Sequence, residues 1–310
     1  MRALNGYAGN RWQVLLRAVI FCLVVCAPLI SWGTVSVASF NLQNYLLTDR
    51  PVGDEYLTAY PKPEIEKAAL RAVIAHARPD VLAIQEMGDR SFLKEFQRDL
   101  AAYSLDYPHV AWCQGEDEER HTAVLSQYPF SSVICHDTIE FGYAGQRKRL
   151  KRGLLEVQFG KGERKWSVFV VHLKSRWTSD ERDPESAKWR TAEAQAIRDF
   201  LLERYKDDWK DARFLVVGDF NDTRDTATLR RFLTKGKRSL LQIIPTTDSR
   251  GENWTYHYAK ADTYERVDYL LASPRMFQQL RKGSGKIVDL LPESAIASDH
   301  RLIWAEFDFK

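Results

Sequence analysis

Phe214-Leu215-Val216-Val217-Gly218-Asp219-Phe220-Asn221-Asp222 is the stretch on which the reading of this chain turns. Four apolar residues make a run of strand length, and Gly, Asp and Asn then stop it. A carboxylate and a carboxamide two residues apart, just past a buried strand, stand at the rim of a sheet, where α/β proteins build their sites. Alone, the pentapeptide from Gly218 to Asp222 reads more readily as a strand-ending turn.

The same arrangement recurs along the chain. Asn41 follows the alternating strand Thr34–Phe40, and Glu86 follows the apolar run Val81–Ile84. His172 ends Trp166–Val171, Asp268 lies within Arg266-Val267-Asp268-Tyr269-Leu270-Leu271, and Asp299-His300 precede the last strand, Leu302–Phe309. A buried charge such as Glu86, beside an apolar strand, needs a cation or a hydrogen-bonding partner. Several carboxylates with amides and imidazoles suit a hard divalent cation such as Mg²⁺, which takes one or two carboxylates and keeps water and substrate phosphate as its other ligands. Zinc fits less well, because the cysteines lie outside these stretches and neither HExxH nor CxxC occurs.

Between these points the spacing predicts helices over 63–78, 89–102, 184–205 and 225–233, and further strands over 122–126, 132–135, 153–159, 240–244 and 253–258. The core face of the helix over 184–205 is read as Trp189, Ala192, Ala196, Ile197 and Phe200. A polar loop is expected from Asn41 to about Lys62, and a basic loop from Gln146 to Arg152. Trp254 and Tyr256 read as core residues of an alternating strand, against the alternative that they stack on a base or line a lipid-facing wall, and His76, His109, His121, His136 and His257 as structural or surface residues. Many strands, short turns and helices that do not strictly alternate favour two mixed sheets with helices outside over a doubly wound parallel sheet.

Composition bounds the rest. Of 310 residues, 28% are charged and 45% hydrophobic, as in an ordinary globular protein. Residues 1–33 stand apart: Arg2, Arg11 and Arg17 are their only charges, Ala18 to Ile30 is an apolar run, and Ser31-Trp32-Gly33 places small residues at a cleavage-like position. That is the layout of a secretory signal peptide, with an uncleaved N-terminal anchor as the alternative. Export to the periplasm or the medium follows as an expectation, with membrane association only if the leader stays on. Without it the chain carries 42 basic and 42 acidic residues, a balance that gives no support to strong non-specific binding of a polyanion. Cys113 and Cys135 remain in the body; in an oxidising compartment they could pair, and both states are open at this point. Residues 34–310 hold no repeat and no linker, and read as one domain.

Six segments together resemble the motif series of the endonuclease/exonuclease/phosphatase superfamily, the deoxyribonuclease I-like fold. They are Ser39-Phe40-Asn41-Leu42-Gln43-Asn44, Ile84-Gln85-Glu86, His172-Leu173-Lys174-Ser175, Gly218 to Asp222, Arg266-Val267-Asp268-Tyr269 and Ser298-Asp299-His300, in that order. The resemblance implies a four-layer α/β sandwich, two mixed β-sheets face to face and flanked by helices. It also implies hydrolysis of phosphodiesters or phosphomonoesters with Mg²⁺ or Mn²⁺. Carried over, Glu86 would be the main metal ligand with Asn41 beside it, and Asp299 would lie against the metal or a second metal position. Asp219 would orient and deprotonate the attacking water, and Asn221 would hold water or a phosphate oxygen. His172 and His300 would donate to the phosphoryl oxygens, with Asp268 orienting His300. Arg152 resembles an arginine that reaches the substrate phosphate, against the alternative of a solvated basic loop; Lys174 is read the same way. The substrate is expected to be a phosphate ester, a nucleic acid if the enzyme is a secreted nuclease, or a lipid or small ester. No protein partner is indicated. An inert binding module of the same fold is the alternative from another class.

Overall fold

The computed structural model describes residues 33–309, so the leader-like segment, residues 1–33, lies outside the described residues except for Gly33. Twelve strands form two six-stranded sheets. They are β1 (Thr34–Tyr45), β2 (Val81–Met87), β3 (His109–Cys113), β4 (His121–Ser126), β5 (Ser132–His136), β6 (Leu154–Phe159), β7 (Trp166–His172), β8 (Phe214–Asp219), β9 (Gln242–Ile243), β10 (Asp268–Ala272), β11 (Lys286–Ile287) and β12 (Ile303–Asp308). The first sheet runs β11-β12-β1-β2-β4-β3, the second β9-β10-β8-β7-β6-β5. Each contains one parallel pair, β1 with β2 and β7 with β8, among antiparallel neighbours. Parallel neighbours need a crossover; α1 (Glu64–Ala77) supplies the first, and α3 (Ala187–Arg204) the second.

Side-chain parity builds the layers. Val35 and Val37, Val168 and Val170, Leu215 and Val217 point into the space between the sheets, where they pack with Val81, Leu155, Leu270 and Ile303. Their neighbours face outward: Ala38 and Phe40 pack with Leu70, Ile74, Leu93 and Phe96 of α1 and α2 (Arg90–Ala101). On the far side Phe169, Val171, Phe214 and Val216 pack with Ile197, Leu201, Leu229 and Phe232 of α3 and α4 (Ala227–Leu233). The result is the expected four-layer sandwich, two mixed sheets face to face between helices. A disulfide joins Cys113 at the end of β3 to Cys135 on β5, with Cα atoms 5.1 Å apart. It ties the outer strand of one sheet to the outer strand of the other.

Several local expectations need correction. The stretch from Asn41 to Lys62 is not all loop: β1 continues to Tyr45, and Thr48–Val52 pairs with Glu55–Tyr60 in an exposed hairpin. Likewise Gln146–Arg149 pairs with Glu140–Tyr143, and Arg152, at the end of the basic run, is only 6% exposed. The solvated reading of Arg152 fails because Asp117, distant in sequence, lies against it. Helix α3 buries Arg190, Glu193, Ala194, Ile197, Arg198 and Leu201; of the residues chosen for its core, Trp189, Ala192, Ala196 and Phe200 are only partly buried. Polar side chains occupy that face because they hold loops at the rim: Glu193 accepts the Lys151 and Lys174 amides at 2.9 and 2.8 Å.

Candidate active site

The last inward-facing position of β8 is Asp219, which follows Leu215 and Val217 in parity and is 1% exposed. Its register partners are His172 on β7 and Asp268 on β10, so three chemical side chains form one rung across the second sheet. Gly218 permits the close approach of β7: its φ is +136°, and a Cβ there would sit 2.0 Å from the Val171 carbonyl oxygen. From the first sheet, Asn41 follows the inward parity of Val35 and Val37. Glu86 breaks parity. Leu82 and Ile84 face outward, and Glu86 should follow them, but a register shift between Ile84 and Met87 and a φ of +60° at Glu86 turn its carboxylate to the site. Gln43, Asn44 and Asn221 at this rim also have positive φ.

Hydrogen bonds join the two halves. The Asn41 amide nitrogen donates to Asp219 Oδ2 at 3.1 Å and to Glu86 Oε1 at 3.2 Å, and the Asn44 amide donates to Glu86 Oε2 at 2.8 Å. Asn221 donates to Asp219 twice, from its backbone N at 2.7 Å and from Nδ2 at 3.1 Å, and its Nδ2 also reaches the Leu173 carbonyl at 2.9 Å. His172 Nε2 lies 3.7 Å from Asp219 Oδ2 and 3.8 Å from Glu86 Oε1. His300 Nε2 lies 3.9 Å from Asp219 Oδ2 on the other side, while its Nδ1 bonds Asp268 Oδ2 at 2.8 Å. Asp299 lies beside it, with Oδ1 4.0 Å from His300 Nε2.

Burial and charge set the protonation states. Burial pushes Asp219 up to about 7, the His300 charge opposing the rise and Asp268 adding to it. Burial drives His172 well below the ordinary imidazole value, helped by the charge of Arg152. Burial would lower His300 too, but Asp268 and Asp219 overcome it and hold the ring well above that value. The site therefore presents one cationic and one neutral imidazole.

Glu86, Asp219, Asn221, Asp299 and His300 line one cleft of about 500 Å³. Asp268 and His172 are buried, Asp268 against His300 Nδ1 and His172 with its Nε2 turned to the Glu86 and Asp219 carboxylates that line the cleft. Arg152 and Lys174 do not line it. Arg152 Nε faces Asp117 Oδ2 at 3.2 Å, out of line for a hydrogen bond, and the Lys174 ammonium turns back to the carbonyls of Ser175 and Trp177. Burial, with Arg152 nearby, lowers Lys174 to about 8. Tyr256 is not core: it lines the cleft, its ring 4.8 Å from that of His300. Trp254 is half-buried under the Arg301 guanidinium, 4.1 Å away.

The donor set fits a hard divalent cation: carboxylate oxygens of Glu86, Asp219 and Asp299, one amide, and no thiol near them. As oriented, the Asn41 oxygen accepts from the Gln43 amide at 3.0 Å, so this residue spaces the two carboxylates. Asp219, Asp268 and His300 also bring one ligand atom each within 4.8 Å of one another. Their shortest contact is the His300–Asp268 hydrogen bond, which engages Nδ1; Glu86 carries no such commitment to an imidazole and opens to the cleft.

Three supporting residues escaped the sequence reading. Ser298 Oγ donates to the Asn41 carbonyl at 2.8 Å and accepts from the His300 amide at 3.1 Å, Thr255 Oγ1 accepts the Val267 and Asp268 amides at 3.0 Å, and Gln43 Oε1 accepts the Asp299 amide at 3.1 Å. Ser298 and Gln43 lie inside two of the six motif-like segments, which is the signal that points to them; Thr255 carries none.

A model of the Endonuclease/Exonuclease/phosphatase family matches residues 38–300. No curated protein sequence matches the chain. Among solved structures, an endonuclease/exonuclease/phosphatase family protein from Leptotrichia buccalis superposes with a TM-score of 0.60 at 15% identity, covering 89% of this chain and 100% of that one. The human Nocturnin catalytic domain, solved with a bound sulfate anion, gives 0.58 at 17%, covering 89% and 95%. Truncated TDP2 from Caenorhabditis elegans gives 0.56 at 20%, covering 89% and 98%. At these identities the likeness is one of fold. The family match, in contrast, runs from within β1 to His300 and takes in every side chain of the cluster, and on that ground the chain belongs to the endonuclease/exonuclease/phosphatase family.

Proposed function

We propose that the chain is a divalent-metal-dependent phosphoesterase, a secreted or periplasmic nuclease that cleaves phosphodiester bonds by attack of water on phosphorus. The observation that carries this reading is the convergence on Asp219, which stands between a cationic and a neutral imidazole and shares the Asn41 amide with Glu86. Phosphate ester hydrolysis needs an aimed water and positive groups against the non-bridging oxygens. Glu86 would hold Mg²⁺ or Mn²⁺, with Asn41 and Asp299 flanking it. When bound, the ion would supply charge neutralisation and Lewis-acid polarisation of a phosphoryl oxygen.

The chain's own groups do the rest. Asp219, fixed by Asn221, accepts the proton of the attacking water as its oxygen bonds phosphorus. The P–O ester bond breaks, and the departing oxygen takes a proton from bulk water at the cleft mouth. His300, charged and braced by Asp268, donates to a non-bridging oxygen from Nε2, and His172 does so from the opposite side. Arg152 and Lys174, set behind the wall, add positive potential rather than direct contact. Export is supported by the signal-like layout of residues 1–33 and by the Cys113–Cys135 disulfide, a bond that persists in oxidising compartments.

The test is hydrolysis of bis(p-nitrophenyl) phosphate with Mg²⁺ or Mn²⁺, against EDTA and against Asp219→Ala protein. Metal-dependent turnover that Asp219→Ala abolishes is the expected result. Absence of metal-dependent turnover, on this ester and on DNA, RNA, sphingomyelin and phosphoinositides alike, leaves an inert binding module.

A further inference from the structure

Trp177 is 87% exposed, more than any other large apolar side chain of the described residues. An isolated exposed apolar residue is ordinary, but this one sits on a loop that is tied down around it. The Lys174 ammonium donates to the Trp177 carbonyl, and the Asp180 amide to Thr178 Oγ1 at 3.0 Å. Tyr143 Oη reaches Asp180 and Asp183 at 3.1 and 3.3 Å, and Asp183 in turn accepts the Lys188 and Trp189 amides at 3.1 Å at the start of α3. The backbone is anchored while the indole stands in water, and its ring meets no other aromatic ring among the described residues. Trp177 also lines the cleft that holds Asp219 and His300, together with Tyr256 and Tyr258.

We infer that Trp177 is the stacking surface for an unpaired base of a nucleic-acid strand whose scissile phosphate lies at Asp219 and His300, an assignment that rests on the phosphodiesterase reading of the site. Three observations select this occupant. Apart from His300 at the reacting end, the one cationic side chain of the cleft lining, Arg176, is engaged by Glu265 through paired hydrogen bonds at 3.1 and 2.6 Å, and the body of the chain has balanced charge. A strand therefore gains little from phosphate neutralisation, and flat aromatic faces are the remaining means of holding it, tolerant of sequence because every base has a π-face. Duplex bases hide those faces, so the preferred substrate is single-stranded or frayed. A lipid chain would need a contiguous apolar surface, whereas the lining of this cleft mixes its aromatic side chains with Arg176, Thr178, Glu185 and Glu265.

The experiment compares kcat/KM on a short single-stranded oligodeoxynucleotide with that on an abasic oligomer of the same length, for the wild type, Trp177→Ala and Trp177→Phe. Loss of one stacked base is worth roughly tenfold or more. The preference for the base-bearing strand is expected to fall by at least about tenfold in Trp177→Ala and to survive in Trp177→Phe. An unchanged preference in Trp177→Ala overturns the inference while leaving the phosphodiesterase reading intact, since both oligomers are still cut. Wild-type protein that cuts neither oligomer but hydrolyses phospholipid vesicles, with Trp177→Ala losing vesicle binding, overturns it in favour of a membrane-facing role. Wild-type protein that cleaves no phosphodiester removes the underlying reading, and the inference with it.

Discussion

His172 and His300 occupy the two flanks of Asp219, 3.7 and 3.9 Å from the same oxygen, and both are buried. One backing group separates them. Behind His300 stands Asp268, whose carboxylate bonds Nδ1 and, with Asp219, overcomes the penalty of burial; behind His172, Nδ1 has no hydrogen-bond partner, and Arg152 adds to burial in keeping the ring neutral. Equal distance to a shared carboxylate thus yields opposite charge states. Local geometry sets position, and the residue behind the ring sets protonation.

The sharpest way to break this comparison is to remove its centre. Asp219→Ala should lower kcat on a phosphodiester by about a thousandfold or more, within the range for loss of a positioned base, with the fold preserved by circular dichroism. Next, His300→Gln and Asp268→Asn should each cost roughly a hundredfold in kcat. Because they act as one unit, the double variant should be little worse than His300→Gln alone. Independent losses that multiply would separate the two residues. His172→Gln should cost about tenfold, the value of one hydrogen bond to a charged group, and should come closer to multiplying with Asp268→Asn than His300→Gln does, since no hydrogen bond joins that ring to Asp268.

Two smaller effects test the charge states in metal-free protein. In an NMR titration, Asp268→Asn should bring the His300 value down, because burial then meets only Asp219 and Asp299 in opposition. For His172 the sign runs the other way. Its folded value lies below its unfolded one, so the unfolded chain binds the extra proton and the native state loses stability as pH falls below about 6.5. His172→Gln should therefore narrow the stability difference between pH 7.5 and 5.5 by about 1 kcal/mol, read from denaturant midpoints. An unchanged difference would mean that this ring is already charged in the native state.

Much of this architecture was legible because apolar runs mark strands, and because the site residues terminate those runs. Asp219, Asn41 and His172 needed only parity to be aimed inward. Glu86 did not fit parity, and its orientation depends on a local register shift that no propensity announces. Arg152 looked exposed because its partner Asp117 is reached only after β3 and β6 come together near the disulfide. The two polar hairpins, Thr48–Tyr60 and Glu140–Arg149, lack the apolar alternation that reveals a strand against a core. Thr255 and Ser298 were hidden for a different reason: small hydroxyl side chains that satisfy backbone amides resemble any turn residue until the segments they join are known.

Asn41, Glu86 and His300 belong to one side of the sandwich; His172, Asp219 and Asp268 belong to the other. Because the middle of the chain supplies one sheet and its two ends supply the other, neither part alone contains half a working centre that could act without its counterpart. Turnover is then a gauge of closure. Any loosening between the faces would extinguish catalysis before the sheets themselves unravel, and fragments cut at the Ser126–Ser132 connection, once the Cys113–Cys135 bond between them is reduced, would be dark apart and active only on reassembly.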